Sequence, residues 1–276
     1  MAKDLDSMVE DFRTRPLDCG SYYYPSCDAL TRKVRKDRRV VKTSVLLATG
    51  VNNDVYRELL GMHFATAEST ASWNGFFRDL KARGLGDVYL VTSNANLGIQ
   101  AAVSDVLPNA SWQRCRTQFA KNLSSMVPET QWPTLSAMFH TIFQQPDAEA
   151  VWAQHQEVVE FCQAKFPHAA DYLEEHLDDA LAFTHTPKSA CAKVWSNNPT
   201  ERLNRGIRRG RCRRDLPHRD AVIRLVGAAL AEQHDDWIQQ KRYMSLTSLE
   251  QNQGVDHSQC HHRRHHHPGR QGECSL

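Results

Sequence analysis

Between Val40 and Val106 the hydrophobic period of the chain changes three times, and the order of those changes restricts the fold more than any other feature. Val40–Val51 (VVKTSVLLATGV) is an apolar, β-branched run, and Val55–Ala65 follows after the turn residues Asn52-Asn53-Asp54, so the pair reads as a hairpin. Glu68–Arg83 then takes up helical spacing, with Trp73, Phe77 and Leu80 at i, i+4 and i+7 and Gly84 just beyond. Asp87–Thr92 (DVYLVT) is a short continuous apolar run, the pattern of a buried strand, and Leu97–Val106 reads as a helix closed by Leu107-Pro108. Hairpin, helix, buried strand, helix predicts an α/β sheet of mixed strand direction. The aromatic run Tyr22-Tyr23-Tyr24 leads into Cys27-Asp28 and is read as a third strand beside the hairpin.

From about residue 117 to 190 the strand pattern disappears. Helical stretches over Leu135–Gln144, Ala148–Lys165 and Ala169–Phe183, punctuated by Pro146, Pro167 and Pro187, predict an all-helical insertion. A further helix is expected after Pro199, with Pro199 at its first position and Asn198 as cap. The last long helix is expected over Arg219–Tyr243, with Val222, Leu225, Val226, Ala229 and Leu230 on one face. Residues 1–20 read as a lead-in, residues 21–250 as one domain, and residues 251–276 as a His/Arg-rich tail without periodicity.

Composition matters for what it excludes. With 276 residues, 41% hydrophobic and 24% charged, the chain has material for a large core and is neither disordered nor fibrous in its body. No apolar run approaches the roughly 18 residues of a membrane span, and residues 1–10 carry no signal-peptide core, so a cytoplasmic protein is expected. The eight cysteines show no CxxC spacing and are expected to be free thiols. The net charge of +2 conceals a local excess: between Glu201 and Arg219 stand eight Arg and two acids. Such a patch, with Arg202, Arg205, Arg208, Arg209 and Arg211, suits the phosphate backbone of DNA, though a solvated helix face is its bland explanation.

Three positions are candidates for chemistry. Asp28 is expected at the end of the first strand, Asn94 just past the buried strand Asp87–Thr92, and Glu201 in the first turn of the Pro199 helix. Open sheets gather ligands outside the carboxyl ends of their strands, so Asp28 and Asn94 are expected to converge there. Taken singly, each acid is more readily explained as a solvated surface group.

Five stretches carry a stronger signal: Gly50–Gly61 (GVNNDVYRELLG), Val88–Ala102 (VYLVTSNANLGIQAA), Ser111–Leu123 (SWQRCRTQFAKNL), Trp195–Arg209 (WSNNPTERLNRGIRR) and Arg224–Trp237 (RLVGAALAEQHDDW). In order and spacing they resemble the Mutator-type transposases of bacterial insertion sequences, from about residue 5 to about residue 250. The resemblance implies a ribonuclease-H-like mixed sheet with an all-α insertion before the last catalytic acid. It also implies a DDE site in which three carboxylates hold two divalent ions, Mg²⁺ or Mn²⁺, about 3.5–4 Å apart for in-line phosphoryl transfer. Asp28 in SCDAL matches the family's first Asp, and Glu201 in NPTERLN matches its Glu. The implied partners are the DNA of element ends and targets, together with further copies of the same chain.

The chain departs from the family pattern at three places. The second Asp belongs to a motif SDAxxG, and here the residues are Ser93-Asn94-Ala95-Asn96-Leu97-Gly98. An amide oxygen still ligates but brings no charge, and losing one electrostatic catalytic group commonly costs ~10²–10³ in rate. The family's Cys-x-x-His pair reads Cys115-Arg116-Thr117-Gln118, and Lys-Glu-Ile after Asn204 reads Arg205-Gly206-Ile207. The expectation is a truncated, decayed copy that lacks the helix-turn-helix-like region preceding the catalytic domain in relatives and has impaired cleavage and strand transfer. The alternative is a non-catalytic DNA-binding or oligomerising remnant; an RNase-H-type or resolvase-like nuclease fits the motifs less well. Trp112 and Trp195 are expected to pack in the core, Cys115 to be a buried thiol, and the tail histidines to chelate Zn²⁺ or Ni²⁺ only adventitiously.

Overall fold

A computed structural model describes residues 2–17, 20–36, 39–209, 219–240 and 242–245, and in it five strands form one mixed sheet. The expected hairpin is present as β2 (Arg39–Val51) and β3 (Arg57–Ala65), paired antiparallel. The third strand is not the tyrosine run. It is β1 (Ser26–Lys36), antiparallel to β2 along its whole length, from Ser26 opposite Thr49 to Lys36 opposite Arg39. Its second half, TRKVRK, is too charged to read as an apolar strand, and continuous backbone pairing rather than hydrophobicity makes it one. Tyr22, Tyr23 and Tyr24 are buried ahead of it, and the Tyr23 carbonyl accepts from the Tyr89 and Leu90 amides at 2.9 and 3.1 Å. Beyond β1 lie β4 (Leu90–Ser93) and β5 (Ser111–Arg114), both parallel, giving the order β3-β2-β1-β4-β5.

The central run Val45-Leu46-Leu47-Ala48 of β2 is fully buried because both faces of the sheet are covered. Leu46, Ala48 and Leu60 face α2 (Thr70–Ala82) and α3 (Leu97–Val106), whose Trp73, Phe76, Phe77 and Val103 fill that layer. Leu30, Val45, Leu47 and Leu59 face α1 (Ala2–Thr14), α9 (Asn198–Arg209) and α10 (Arg219–Gln239). A register shift at Ala48/Thr49 leaves Leu60 unpaired in β3, while the ordinary alternation of a strand sends Leu59 to one layer and Leu60 to the other. Each such side chain contributes roughly 1.5–3 kcal/mol by leaving water. Residues 2–14, read from sequence as part of a lead-in, thus form a helix packed on the domain through Val9 and Phe12.

Between β5 and α9 the chain is helical, as expected: α4 (Arg116–Ser124), α5 (Trp132–Ile142), α6 (Ala148–Lys165), α7 (Pro167–Ala180), a 3₁₀ turn and α8 (Lys188–Val194). These helices share their own core of Phe119, Leu135, Phe139, Leu173 and Leu177. Gln113 of β5 ties them to the sheet, donating to the Ala180 carbonyl at 2.6 Å and accepting from the Phe183 amide at 2.8 Å. α7 ends at Ala180 rather than Phe183, and α10 ends at Gln239 rather than Tyr243. Neither β5 nor α4 was legible from periodicity. No helix among the described residues is long and apolar enough to cross a membrane.

Candidate active site

Strand register brings Asp28 and Asn94 together. β1 and β4 run parallel with Ser26 opposite Thr92, so the residues two further along each chain are also level and point to the same face. Asp28 therefore lies near the start of β1, not at the end of a strand as the sequence reading had it, while Asn94 does follow the carboxyl end of β4. The Asn94 Nδ2 donates to Asp28 Oδ1 at 3.2 Å.

α9 brings the third position. It begins at Asn198, and the Asn197 carbonyl accepts from the Glu201 amide at 3.0 Å, so Pro199 is the second residue of the helix and not the first. The buried Thr200 hydroxyl fastens this end to the sheet, 3.2 Å from Ser26 Oγ and 3.0 Å from Thr49 Oγ1. Arg32 holds the other end by donating to the Ile207 carbonyl at 2.9 Å. Positions 197, 201 and 204 share one helix face. Asn204 Nδ2 donates to Asp28 Oδ2 at 2.6 Å, and Asn197 Nδ2 donates to Asn94 Oδ1 at 3.3 Å. Glu201, between them in the first turn, is half-buried and near enough for its charge to act on Asp28.

The Asp28 carboxylate thus receives three donors, from Asn94, Asn204 and the Ala29 amide at 2.9 Å. Its pKa is nevertheless pushed up to about 6, chiefly by burial; the Asn204 and Ala29 hydrogen bonds oppose this, Glu201 adds to it, and Arg208 opposes it weakly. Asn197 and Asn204, which the sequence reading missed, are buried, and their side-chain oxygens have no hydrogen-bond partner. Their i−4 and i+3 spacing around Glu201 was the signal that would have found them.

A cavity of about 200 Å³ opens beside Asp28 and Asn94, lined also by Ser93, Asn96, Trp73 and Glu68 but not by Asn197, Glu201 or Asn204. Glu68, read from sequence only as the start of a helix, precedes the Ser69 cap of α2 and accepts from the Trp73 indole nitrogen at 3.3 Å. Burial raises its pKa, and that hydrogen bond opposes the rise. Among the described residues, no three His, Cys, Asp or Glu side chains come together as a metal-binding group. What is present is an all-oxygen set: the Asp28 and Glu201 carboxylates beside the unpartnered Asn197 and Asn204 oxygens. That chemistry fits a hard divalent ion, with less charge than three carboxylates would supply.

The flanking residues behave as structural ones. Trp112 is buried and donates to Ser93 Oγ at 2.8 Å, while Trp195 packs on Phe143 and Phe183 with the Arg116 guanidinium 4.3 Å over its ring. Cys115 is a free, buried thiol at the start of α4 whose pKa burial raises, and Gln118 donates to Asn122. Cys27, Cys162 and Cys191 are likewise free. Arg202, Arg205 and Arg208 are exposed on α9. The Arg209 side chain, Arg211 and the His/Arg-rich tail lie outside the described residues. On another side of α9, a groove of about 650 Å³ holds Arg57, Arg202, Gly206, Trp237 and Tyr243 but neither Asp28 nor Asn94.

The sequence model described as "Transposase, Mutator family" matches residues 1–240, and the chain belongs to that family. It is 51% identical over 253 residues to the transposase for insertion sequence element IS1081 of Mycobacterium tuberculosis, covering 90% of this chain and 60% of that protein. It is 32% identical to the transposase for IS256 in transposon Tn4001 of Staphylococcus aureus, covering 88% of this chain and 63% of the relative. The transposase for ISRM5 of Rhizobium meliloti is 31% identical, with 90% and 62% covered. The chain thus spans about three fifths of the length of these relatives.

Proposed function

We propose that this chain carries the DDE catalytic domain of an insertion-sequence transposase, of ribonuclease-H-like architecture with residues 117–190 as the helical insertion. The observation that supports this most directly is the convergence of Asp28, Asn94 and the Glu201 face of α9 at the junction of β1 and β4. Asp28 and Glu201 are the residues to hold Mg²⁺ or Mn²⁺, which when bound supplies Lewis-acid activation for phosphoryl transfer. Asn94 orients Asp28 but contributes no charge. Arg202, Arg205 and Arg208, with Arg209 and Arg211 beyond them, supply sequence-blind contacts to the DNA backbone. The partners this reading calls for are the DNA of element ends and targets and further copies of the chain, in the cytoplasm.

The amide at position 94 impairs both cation retention and rate. The test is Mn²⁺-dependent nicking of a DNA duplex by the native chain, by Asn94→Asp and by Asn94→Asp combined with Glu201→Ala. The expected result is a gain of ~10² or more with Asn94→Asp, lost again with Glu201→Ala. Cleavage that survives Glu201→Ala sinks the assignment. DNA binding by all three proteins with cleavage by none decides for the non-catalytic remnant.

A further inference from the structure

β1 and β2 outrun the rest of the sheet. β4 pairs with β1 only at Ser26, and β3 pairs with β2 only from Ser44 onward, so residues 32–36 and 39–43 form a ribbon of two strands. Alternation along a strand divides the side chains of this ribbon between two faces. Leu30 and Val34 lie in the core beneath α1, α9 and α10, and Asp28, two residues before Leu30, shares their face. Lys33 and Arg35 lie on the other face, with Lys42 and Val40 directly opposite them on β2, and all four side chains are exposed.

The charge on that face is not offset. Lys33, Arg35 and Lys42 make no ion pair and no side-chain hydrogen bond among the described residues. Lys33 stands directly across from Lys42, and like charges so placed are destabilising. Over residues 32–42 the sequence holds seven Lys or Arg and one acid, Asp37. A ribbon of two strands is only marginally stable by itself, so the repulsion is a cost that a ligand of opposite charge removes. Lysines also guard exposed strand edges against pairing, but that role does not call for two of them face to face.

Spacing selects the ligand. Side chains two apart on a strand are about 6.6–6.8 Å apart and cross-strand neighbours about 4.5–5.5 Å, so meeting all three cations at once takes closely spaced negative charges. Duplex DNA carries one per about 1.7 Å of axis, and its major groove admits a two-stranded β-ribbon. We propose that the β1–β2 ribbon is a second DNA-contacting surface, on which Lys33, Arg35 and Lys42 bind the phosphate backbone of a duplex whatever its sequence. The proposal rests on the DNA-binding reading above and requires no metal ion. Since these side chains point away from the Asp28 face, the backbone they hold is not the stretch at Asp28.

The test is the salt dependence of duplex binding by the full chain in EDTA, followed by fluorescence anisotropy with duplexes of unrelated sequence. The proteins compared are the native chain, Lys33→Gln with Arg35→Gln and Lys42→Gln, Arg202→Ala with Arg205→Ala and Arg208→Ala, and the single change Lys42→Glu. At about 0.9 per phosphate, the triple change in the ribbon is expected to lower the slope of log affinity against log salt by about 2–3. Lys42→Glu sets an acid across from Lys33, so it is expected to raise the melting temperature while weakening DNA binding. A purely structural ribbon does not move those two readouts in opposite directions. A slope unchanged by the ribbon triple, while the native chain binds DNA, overturns the role of the ribbon alone. A sedimentation coefficient that shifts without DNA, again at unchanged slope, hands the ribbon to contact between copies of the chain and also overturns it. If the native chain shows no salt-dependent binding to duplex DNA, the DNA-binding reading falls and takes this proposal with it.

Discussion

Asn94 and Asp28 are joined by a 3.2 Å hydrogen bond in which the Asn94 amide nitrogen donates to the carboxylate, where a second acid would repel it. The side chain at position 94 therefore substitutes a dipole for a like charge. Replacing it by Asp removes that donor and sets two carboxylates side by side in a buried site. In EDTA, Asn94→Asp is expected to lower stability by about 1–3 kcal/mol, with millimolar Mn²⁺ restoring much of the loss. Differential scanning calorimetry with and without Mn²⁺ checks this, and a variant as stable as the native chain in EDTA contradicts it.

Asp28 makes stability pH-dependent. Burial raises its pKa to about 6 from an ordinary 3.8, so the folded chain binds this proton more tightly than the unfolded one. Its contribution is therefore full below about pH 4 and is lost as pH rises through 6. Asp28→Asn is expected to gain stability relative to the native chain on going from pH 4 to pH 7.5, on the order of 2 kcal/mol. Urea unfolding of both proteins at the two pH values measures it; a pH-independent difference refutes it.

His234 has the opposite sign. Burial, helped by the Arg15 charge and opposed by Glu58, lowers its pKa to about 4 from 6.5. The unfolded chain takes up this proton first, so stability present above pH 6.5 is lost as pH falls toward 4. The ring lies 5.6 Å from Phe12 between α1 and α10. His234→Gln should lose less stability than the native chain between pH 7.5 and 4.5, by roughly 1–3 kcal/mol. Acid denaturation curves that superimpose after baseline correction would rule this out.

Two substitutions in α9 are expected to act in opposite directions. Thr200→Val removes a buried hydroxyl shared with Ser26 and Thr49, and is expected to cost about 1–3 kcal/mol. Gly206→Ala adds a Cβ that meets nothing within 4 Å at an exposed helix position, and is expected to stabilise by about 1 kcal/mol. Melting temperatures that move in the same direction would show that α9 is not seated as described.

The exposed Arg202, Arg205 and Arg208 predict a salt signature. If each meets one phosphate, changing all three to Ala lowers the slope of log affinity against log salt by about 2–3, whatever the DNA sequence. Fluorescence anisotropy with duplexes of unrelated sequence, over a range of salt concentrations, tests it; an unchanged slope removes α9 from the DNA-facing surface.

Local signals were legible where one side chain reports one environment. α6 and α3 have the bounds the sequence predicts, because period and flanking caps are encoded within the helix itself: Asp147 accepts from the Ala150 amide, and Asn96 accepts from Gly98 and Ile99. β1 was misplaced because its charged half is held by pairing with β2, a partner that hydrophobic pattern does not name. β5, only four residues long, gave too little pattern to read.

The chain's residues alone determined that acids stand at 28 and 201, that an amide stands at 94, and that a helical segment separates the sheet from α9. Only the tertiary structure decided that Asp28 is held by amides 66 and 176 residues away, and that Glu68 shares its cavity. Those contacts depend on strand register and on the rotation of α9 about its axis. Both are set by the packing of whole faces, a property no single stretch of sequence contains.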